Sequence, residues 1–339
     1  MSGSGTRRYG RRIRWLAVGI AAAVIGYGAY WFSVKETLEQ RIEATIQRIE
    51  AAGGRVRSGR IEISGFPSRT IITLAGLQVT GPDGAITGTA GDLVLISHPW
   101  TPGRWIAKAG AVHLAFAPET PFLTLTADRA EASFRLDGIR LVRLDLVADG
   151  ARLSGPEAGL DMDRLTANLL REDRQNEQAG GLREPLVAKL ALRGAAVDYG
   201  SEPPGSLDGI WEIHGRLPGL DRASLASWRD AGGTLELMEL TIGQGPTRLV
   251  LSGTLSLDTE FRLFGALTAE GTRLDRLVAL MGENAVMPPA RALAAASAIN
   301  QVAQEGQVQL PLLIQDGQIA LDTQPLMTLP PLYRTGSRR

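Results

Sequence analysis

The chain has 339 residues, 44% of them hydrophobic, with no cysteine and a formal net charge of zero. That length and apolar content suffice for a large core without metal or disulfide support. The balanced charge excludes a nucleic-acid partner, which needs a concentrated excess of Lys and Arg, and the missing Cys excludes disulfides, thiolate zinc sites and a cysteine nucleophile.

Residues 1–14 are a basic leader carrying Arg7, Arg8, Arg11, Arg12 and Arg14. Trp15 to Phe32 then run without a charge; as a helix they rise about 27 Å, close to the roughly 30 Å of a bilayer's hydrocarbon core. A transmembrane helix is expected over 15–32. The arginines before it, against Lys35-Glu36 after it, place the N-terminus in the cytoplasm and the bulk across the membrane by the positive-inside rule. Trp15 at one end and Tyr27, Tyr30, Trp31 and Phe32 at the other resemble the aromatic belts of membrane interfaces. A cleaved signal peptide would share the basic and apolar regions but end in a small-x-small site. The exit Tyr30-Trp31-Phe32 favours retention as a single-pass anchor.

Residues 33–54 read as an amphipathic helix: Val34, Leu38, Ile42, Ile46 and Ile49 recur at spacings of four and three. Gly53-Gly54 closes it. Its stripe is expected to pack on the first strands; acidic residues at 36, 39, 43 and 50 argue against a membrane-surface helix. Beyond Gly54 the period changes to 2, as in Arg60-Ile61-Glu62-Ile63, Leu123-Thr124-Leu125-Thr126 and Ser252 to Leu257. Turn signals recur at Gly81-Pro82-Asp83-Gly84, Asp137-Gly138, Asp149-Gly150, Ser154-Gly155-Pro156, Gly243 to Pro246 and Asp316-Gly317, so many short antiparallel strands are expected over 55–332. In Leu235 to Ile242 the alternation slips by one, as a β-bulge would cause. The polar run at 171–181 reads as a solvated loop, across which the β region either divides or continues as one sheet. Helical insertions are expected at Asp221 to Asp230 and at Thr272 to Gln304, the latter broken at Met287-Pro288-Pro289. A hairpin over Gln307 to Leu321 leads to Leu329-Pro330-Pro331-Leu332 and a disordered tail, 333–339. The fold class is mainly β: an anchor and an amphipathic helix, then an extended, curved antiparallel sheet with few helices.

The sequence holds three His residues, 98, 113 and 214, with no metal-ligand spacing between them. His98 lies in a Pro-rich loop, and His113 and His214 should each occupy one face of a strand. No Gly-x-Ser-x-Gly elbow, Walker loop or dinucleotide fingerprint occurs. Asp161 and Asp163 should share the solvent face of a strand. No catalytic, cofactor-binding or metal-ligating residue is therefore assigned, and neither an enzyme nor a cofactor is expected. Gly65-Phe66-Pro67-Ser68-Arg69 reads as a tight hairpin turn with Phe66 as an apolar plug; any further role of Gly65, Phe66, Pro67 and Arg69 is open. Leu249, Leu251, Leu255, Leu257, Phe261 and Leu263 fall on one face of the sheet and form the candidate apolar ligand surface.

The leader and anchor, the helix ending in Gly53-Gly54, Gly65-Phe66-Pro67-Ser68-Arg69, and Trp105-Ile106-Ala107 after a Pro-rich loop together resemble a bacterial family, domain of unknown function 2125. So do Gln315-Asp316-Gly317-Gln318-Ile319, Pro325-Leu326 and Leu329-Pro330-Pro331-Leu332, and the resemblance spans nearly the whole chain. That family usually has a second Phe where this chain has Ser68. The resemblance implies an inner-membrane protein of Gram-negative bacteria facing the periplasm, with no catalytic residues to carry over. More loosely, the amphipathic strands behind an anchor are similar to AsmA-like envelope proteins, whose curved sheets are thought to hold lipid. Two functions are expected from these readings: a sheet holding or transferring lipid on its concave face, or a non-enzymatic scaffold for other envelope proteins. The membrane, lipid and envelope proteins are the expected partners.

Overall fold

The computed structural model describes Gly26, Tyr30, Ser33 and residues 35–333, apart from 82–83, 85, 102, 117–122, 139, 156–158, 172–185, 199–203, 218, 220, 284–288, 303–306 and 322–323. The leader, the body of the apolar run 15–32, nearly all of the polar run 171–181 and the tail from 334 lie outside the described residues. Among those described, no helix is long and apolar enough to cross a membrane. Gly26, Tyr30 and Ser33 are helical, as are residues 35–51, which form α1. Leu38, Ile42, Ile46 and Ile49 make its half-buried stripe. Gly53, at φ 89°, ends it, and the amides of Gly53 and Gly54 donate back to the carbonyls of Glu50 and Ile49. A left-handed glycine thus satisfies carbonyls that the last turn leaves open.

Beyond α1 the chain is mostly strand. The first nine strands are β1 (Arg55–Arg57), β2 (Ile61–Ser64), β3 (Thr70–Thr80), β4 (Ile86–Ser97), β5 (Arg104–Ala109), β6 (Val112–Phe116), β7 (Leu123–Ala127), β8 (Arg129–Asp137) and β9 (Arg140–Ser154). The next six are β10 (Gly159–Arg171), β11 (Leu186–Asp198), β12 (Gly205–His214), β13 (Thr234–Gln244), β14 (Thr247–Leu257) and β15 (Leu263–Thr272). The last three are β16 (Gln307–Gln315), β17 (Gln318–Leu321) and β18 (Gln324–Thr328). The three other helices are α2 (Arg222–Asp230), α3 (Leu274–Glu283) and α4 (Pro289–Val302).

Among the described residues, all eighteen strands belong to one antiparallel sheet. Successive strands pair as a meander, except that three rows hold two short strands end to end: β1 with β2 beside β3, β5 with β6 beside β4, and β8 with β7 beside β9. Eighteen strands therefore stack in fifteen rows, about 70 Å at ~4.8 Å per row. β10 and β11, on either side of the polar run, pair directly from Asp161–Asp198 to Arg171–Ala188, so the sheet continues across it.

Side chains alternate between an inner, apolar face and an outer face where charged residues mix with exposed apolar ones such as Ile106, Val147, Leu170 and Ile210. In every row from β3 to β11 that alternation breaks along a single line. The inward residues there stand three apart, with two outward residues between them: Leu74 and Leu77, Leu93 and Ala90, Ala109 and Val112, Ala130 and Ala127, Ala148 and Ala151, Leu165 and Met162, Gly194 and Val197. Two successive outward residues bend a strand, as in a β-bulge, and here the bends align into a crease across the sheet. Gly76, Gly150 and Ala196 take positive φ on this line. Asp149-Gly150, expected from sequence to be a turn, instead lies within the fifteen-residue β9. Around the crease Ala127, Ala148, Ala151, Met162, Leu165, Val197 and Leu207 form a buried core. Leu153 and Leu160 on one side of the crease and Leu192 on the other all pack against it, so the crease closes toward the inner face and its small alanines let the arms approach.

The helices cover the C-terminal rows of the same face. α3 packs on β14 and α4 on β18, over a core of Ala269, Leu274, Ile299, Val308 and Leu310. Leu225 and Trp228 of α2 close over Leu257 and Phe261. The bulge expected in β13 is present: its register with β14 shifts between Leu237 and Leu240, leaving Met238 49% exposed.

Candidate functional site

The inner face is apolar, and it differs along its length. Of the six residues assigned from sequence to an apolar ligand surface, Leu255, Leu257 and Phe261 are buried, and Leu249, Leu251 and Leu263 are half-buried. Leu249 and Leu251 pack into the core beneath α3 and α4. Leu255 packs with Leu237, Leu267 and Ile314. Phe261 is enclosed by α2 and the C-terminal segment: Arg222 and Arg229 sit 5.2 Å from its ring centroid, and Tyr333, assigned to the tail from sequence, meets it edge-on at 5.7 Å. This stretch already has its cover within the chain. The odd-numbered pattern read from β14 is thus a true inner face, supplied with helices that sequence placed correctly but could not dock.

The middle rows are different. From β4 to β11, on the arm that ends at Ser97, Trp105 and Leu144, the inner face carries Leu93, Leu95, Trp105, Phe134, Leu136, Leu144, Leu146, Leu169 and Leu190, all half-buried. The partners of α2, α3 and α4 described above lie in later strands or near the C-terminus. These side chains form an apolar trough beside the crease, with three large ones, Trp105, Phe134 and Leu144, standing abreast in successive rows.

Gly65-Phe66-Pro67-Ser68-Arg69 connects β2 to β3, as expected, with the Arg69 amide donating to the Gly65 carbonyl at 2.9 Å. Gly65 has φ 105°, and a Cβ there would lie 2.7 Å from the Arg69 carbonyl oxygen, so the turn requires glycine. Phe66 is not the interior plug expected of it. Phe66–Pro67 is a cis peptide, and the Phe66 side chain is 52% exposed although Thr70 and Ile72 just beyond the turn are buried. His98, on the neighbouring β4–β5 connection, places Nδ1 2.9 Å from the Ser68 carbonyl and stacks on Trp100 at 5.0 Å. Ser97 donates to the Arg104 carbonyl at 2.7 Å and braces the same loop.

Asp161 and Asp163 are exposed, as expected, and Asp161 pairs with Arg152 across the strands. His113 is likewise exposed on its strand. One cluster escaped sequence reading. Glu212, His214 and Glu236 bring potential ligand atoms within 4.8 Å of one another, because Glu212 and Glu236 face each other across β12 and β13. Lys189 donates to Glu212 at 3.1 Å and offsets part of the repulsion between the paired carboxylates. His214 Nε2 stands 3.3 Å from Glu236 and 3.7 Å from Glu212, so the group reads as a polar cluster on the outer face. Only the register of two strands reveals it.

The family model described as "Uncharacterized protein conserved in bacteria (DUF2125)" matches residues 31–330. The chain belongs to that family. The DUF2125 match takes in every strand from β1 to β18, together with the Gly65 turn and the trough. No curated protein and no solved structure matches the chain.

Proposed function

We propose that the chain is a single-pass protein of the inner membrane, its N-terminus cytoplasmic and its sheet in the periplasm, that holds or passes on lipid along the inner face of the sheet. The observation that carries this reading is the half-buried trough from Leu93 to Leu190, a long apolar surface away from β14 and β18, the strands on which α3 and α4 pack. An exposed or half-exposed apolar surface on a folded protein marks a binding site, and a groove lined mainly by leucine and aromatic side chains, with Arg171 beyond Leu169 at its end, suits acyl chains. The uncharged run Trp15 to Phe32 with its arginine flank supports the anchor and its orientation. The looser likeness to AsmA-like proteins agrees with this reading at the level of architecture, as analogy.

Protease added to intact spheroplasts should remove the β region and spare residues 1–32; a β region untouched outside sealed membranes would reverse the orientation. For the ligand, native mass spectrometry of the full chain in detergent should find bound acyl-chain lipid that survives detergent exchange. A lipid-free, fully stable protein would contradict it.

A second reading, a scaffold for other envelope proteins, draws on the outer face. Phe264 and Leu313 are 43% and 47% exposed there, within an open hollow of about 750 Å³ rimmed by Arg229, Arg262, Asp258 and Asp316. In-cell crosslinking that yields protein adducts at this hollow and no lipid adducts in the trough would favour the scaffold. No chemistry is proposed for the chain.

A further inference from the structure

Three aromatic side chains are exposed around one end of the β3–β4 rows. Tyr30 is 48% exposed, Phe66 52% and Trp100 61%. Tyr30 belongs to the last turn of the apolar run, and its hydroxyl donates to the Pro99 carbonyl at 3.3 Å. Trp100 follows Pro99 directly and stacks on His98, whose ring is tied to the Phe66 turn through the Ser68 carbonyl. The two connections and the end of the apolar run are therefore joined at one place.

The opposite end of these rows is fixed as well. Gly54, just past α1, sits so close to Thr80 that a Cβ would lie 2.7 Å from its carbonyl oxygen. Thr70 pairs with Ser97 and Thr80 with Thr87, so Pro99 and Thr80 mark opposite ends of the strands. α1 accordingly runs the length of β3, leading away from the Tyr30 end.

Charge is arranged at that same end. Arg104 faces Arg135, and Arg135 faces Arg143, across successive rows; all three are exposed, as is Arg69 at the start of β3. Arg143 is paired with Asp145 at 2.8 Å; like charges directly opposite in a sheet destabilise it, so Arg104 facing Arg135 suits a site with an anionic counter-surface. Exposed Trp, Tyr and Phe beside Arg is the composition that settles at headgroup level in membranes.

We infer that the Phe66 turn and the Trp100 loop form a membrane-seated foot: Phe66 and Trp100 enter the outer interface of the bilayer beside Tyr30, and Arg69, Arg104 and Arg135 engage lipid phosphates. This rests on the anchor reading proposed above. It assigns a role to Gly65, Phe66, Pro67 and Arg69, which the trough does not use. The foot holds β3 and β4 upright on the membrane and brings the neighbouring end of the trough, at Trp105 and Phe134, to the lipid surface.

The chain has no cysteine, so each of Phe66→Cys, Ser68→Cys, Trp100→Cys, Val24→Cys and Glu239→Cys gives a single attachment point for a nitroxide. The full-length protein is reconstituted in vesicles of phosphatidylethanolamine and phosphatidylglycerol, and accessibility to oxygen is compared with accessibility to a water-soluble nickel complex. Labels at 66, 68 and 100 should shift toward oxygen relative to Glu239→Cys on the outer β13 bulge, and Val24→Cys should shift furthest. Ser68→Cys leaves both aromatic side chains in place and so reports even if replacing one of them loosens its loop. Labels at 66, 68 and 100 as aqueous as the one at 239, with Val24→Cys embedded, would overturn the foot and leave the anchor standing. An aqueous Val24→Cys would overturn both.

Discussion

Position 65 tolerates no side chain: the positive φ and the Arg69 carbonyl leave no room for a Cβ. Forcing one there costs about 1–3 kcal/mol, so Gly65→Ala should lower the urea midpoint of the detergent-solubilised chain. An unchanged midpoint would mean the turn relaxes freely. Leu165 and Leu170 make a second comparison within one strand. Leu165 is 2% exposed at the crease and Leu170 is 42% exposed on the outer face. Leu165→Ala should cost about 2–5 kcal/mol, whereas Leu170→Ala should stay within about 0.5 kcal/mol. Equal losses, read from the same denaturation curves, would place the inner face wrongly. Leu165 was identifiable as an apolar residue in a strand-like run, but its burial was not, because the doubled outward pair Asp163-Arg164 gains meaning only when its neighbours Asp149-Gly150 and Ala195-Ala196 line up beside it.

Among the elements, α2 shows how local chemistry fixes a helix. Asp221 caps it, accepting from the Ser224 hydroxyl at 2.6 Å and the Ser224 amide at 3.0 Å, and these bonds hold its carboxyl below the usual carboxylate range. Because the folded pKa is depressed, this stabilisation is fully present above the unfolded value of about 3.9 and is lost as pH falls through the lower, folded one. Asp221→Ala should therefore cost about 1 kcal/mol near neutral pH and progressively less in acid, where thermal melts of the two proteins should converge. A gap that persisted in strong acid would show that the cap does not act through its carboxylate. Much at this scale was legible from sequence: the end of α1 at Gly53-Gly54, both halves of the α3–α4 region, the β13 slip and the Asp316-Gly317 hairpin each have a local cause. Asp316 and Gly317 both take positive φ, as a two-residue hairpin requires. Strand length was less legible, since a glycine that bends a strand and a glycine that ends one carry the same signal. The foot was half legible. Its motif stood out, but Phe66 looked like a plug because nothing local tells a turn residue whether its side chain will face the core or away from it.

At the scale of the whole molecule, one sheet of fifteen rows serves two purposes along its inner face. The C-terminal rows are closed by the chain's own helices, and the middle rows are left as a trough. The ligand surface expected from sequence fell in the closed part because β14 has the clearest alternation, and clear alternation reports an apolar face without reporting its cover. The central claim, that acyl chains occupy the trough, is tested most directly by adjacent residues of β8. Phe134 points into the trough and its neighbours Ser133 and Arg135 away from it, so a benzophenone amino acid placed at 133 or at 134 samples opposite faces of one strand. Irradiation in living cells followed by mass spectrometry should yield lipid adducts for Phe134→benzoylphenylalanine and few for Ser133→benzoylphenylalanine, which shares the outer face with Arg135 but lies farther from the foot. Equal lipid yields at 133 and 134, or protein adducts alone at 134, would contradict the account.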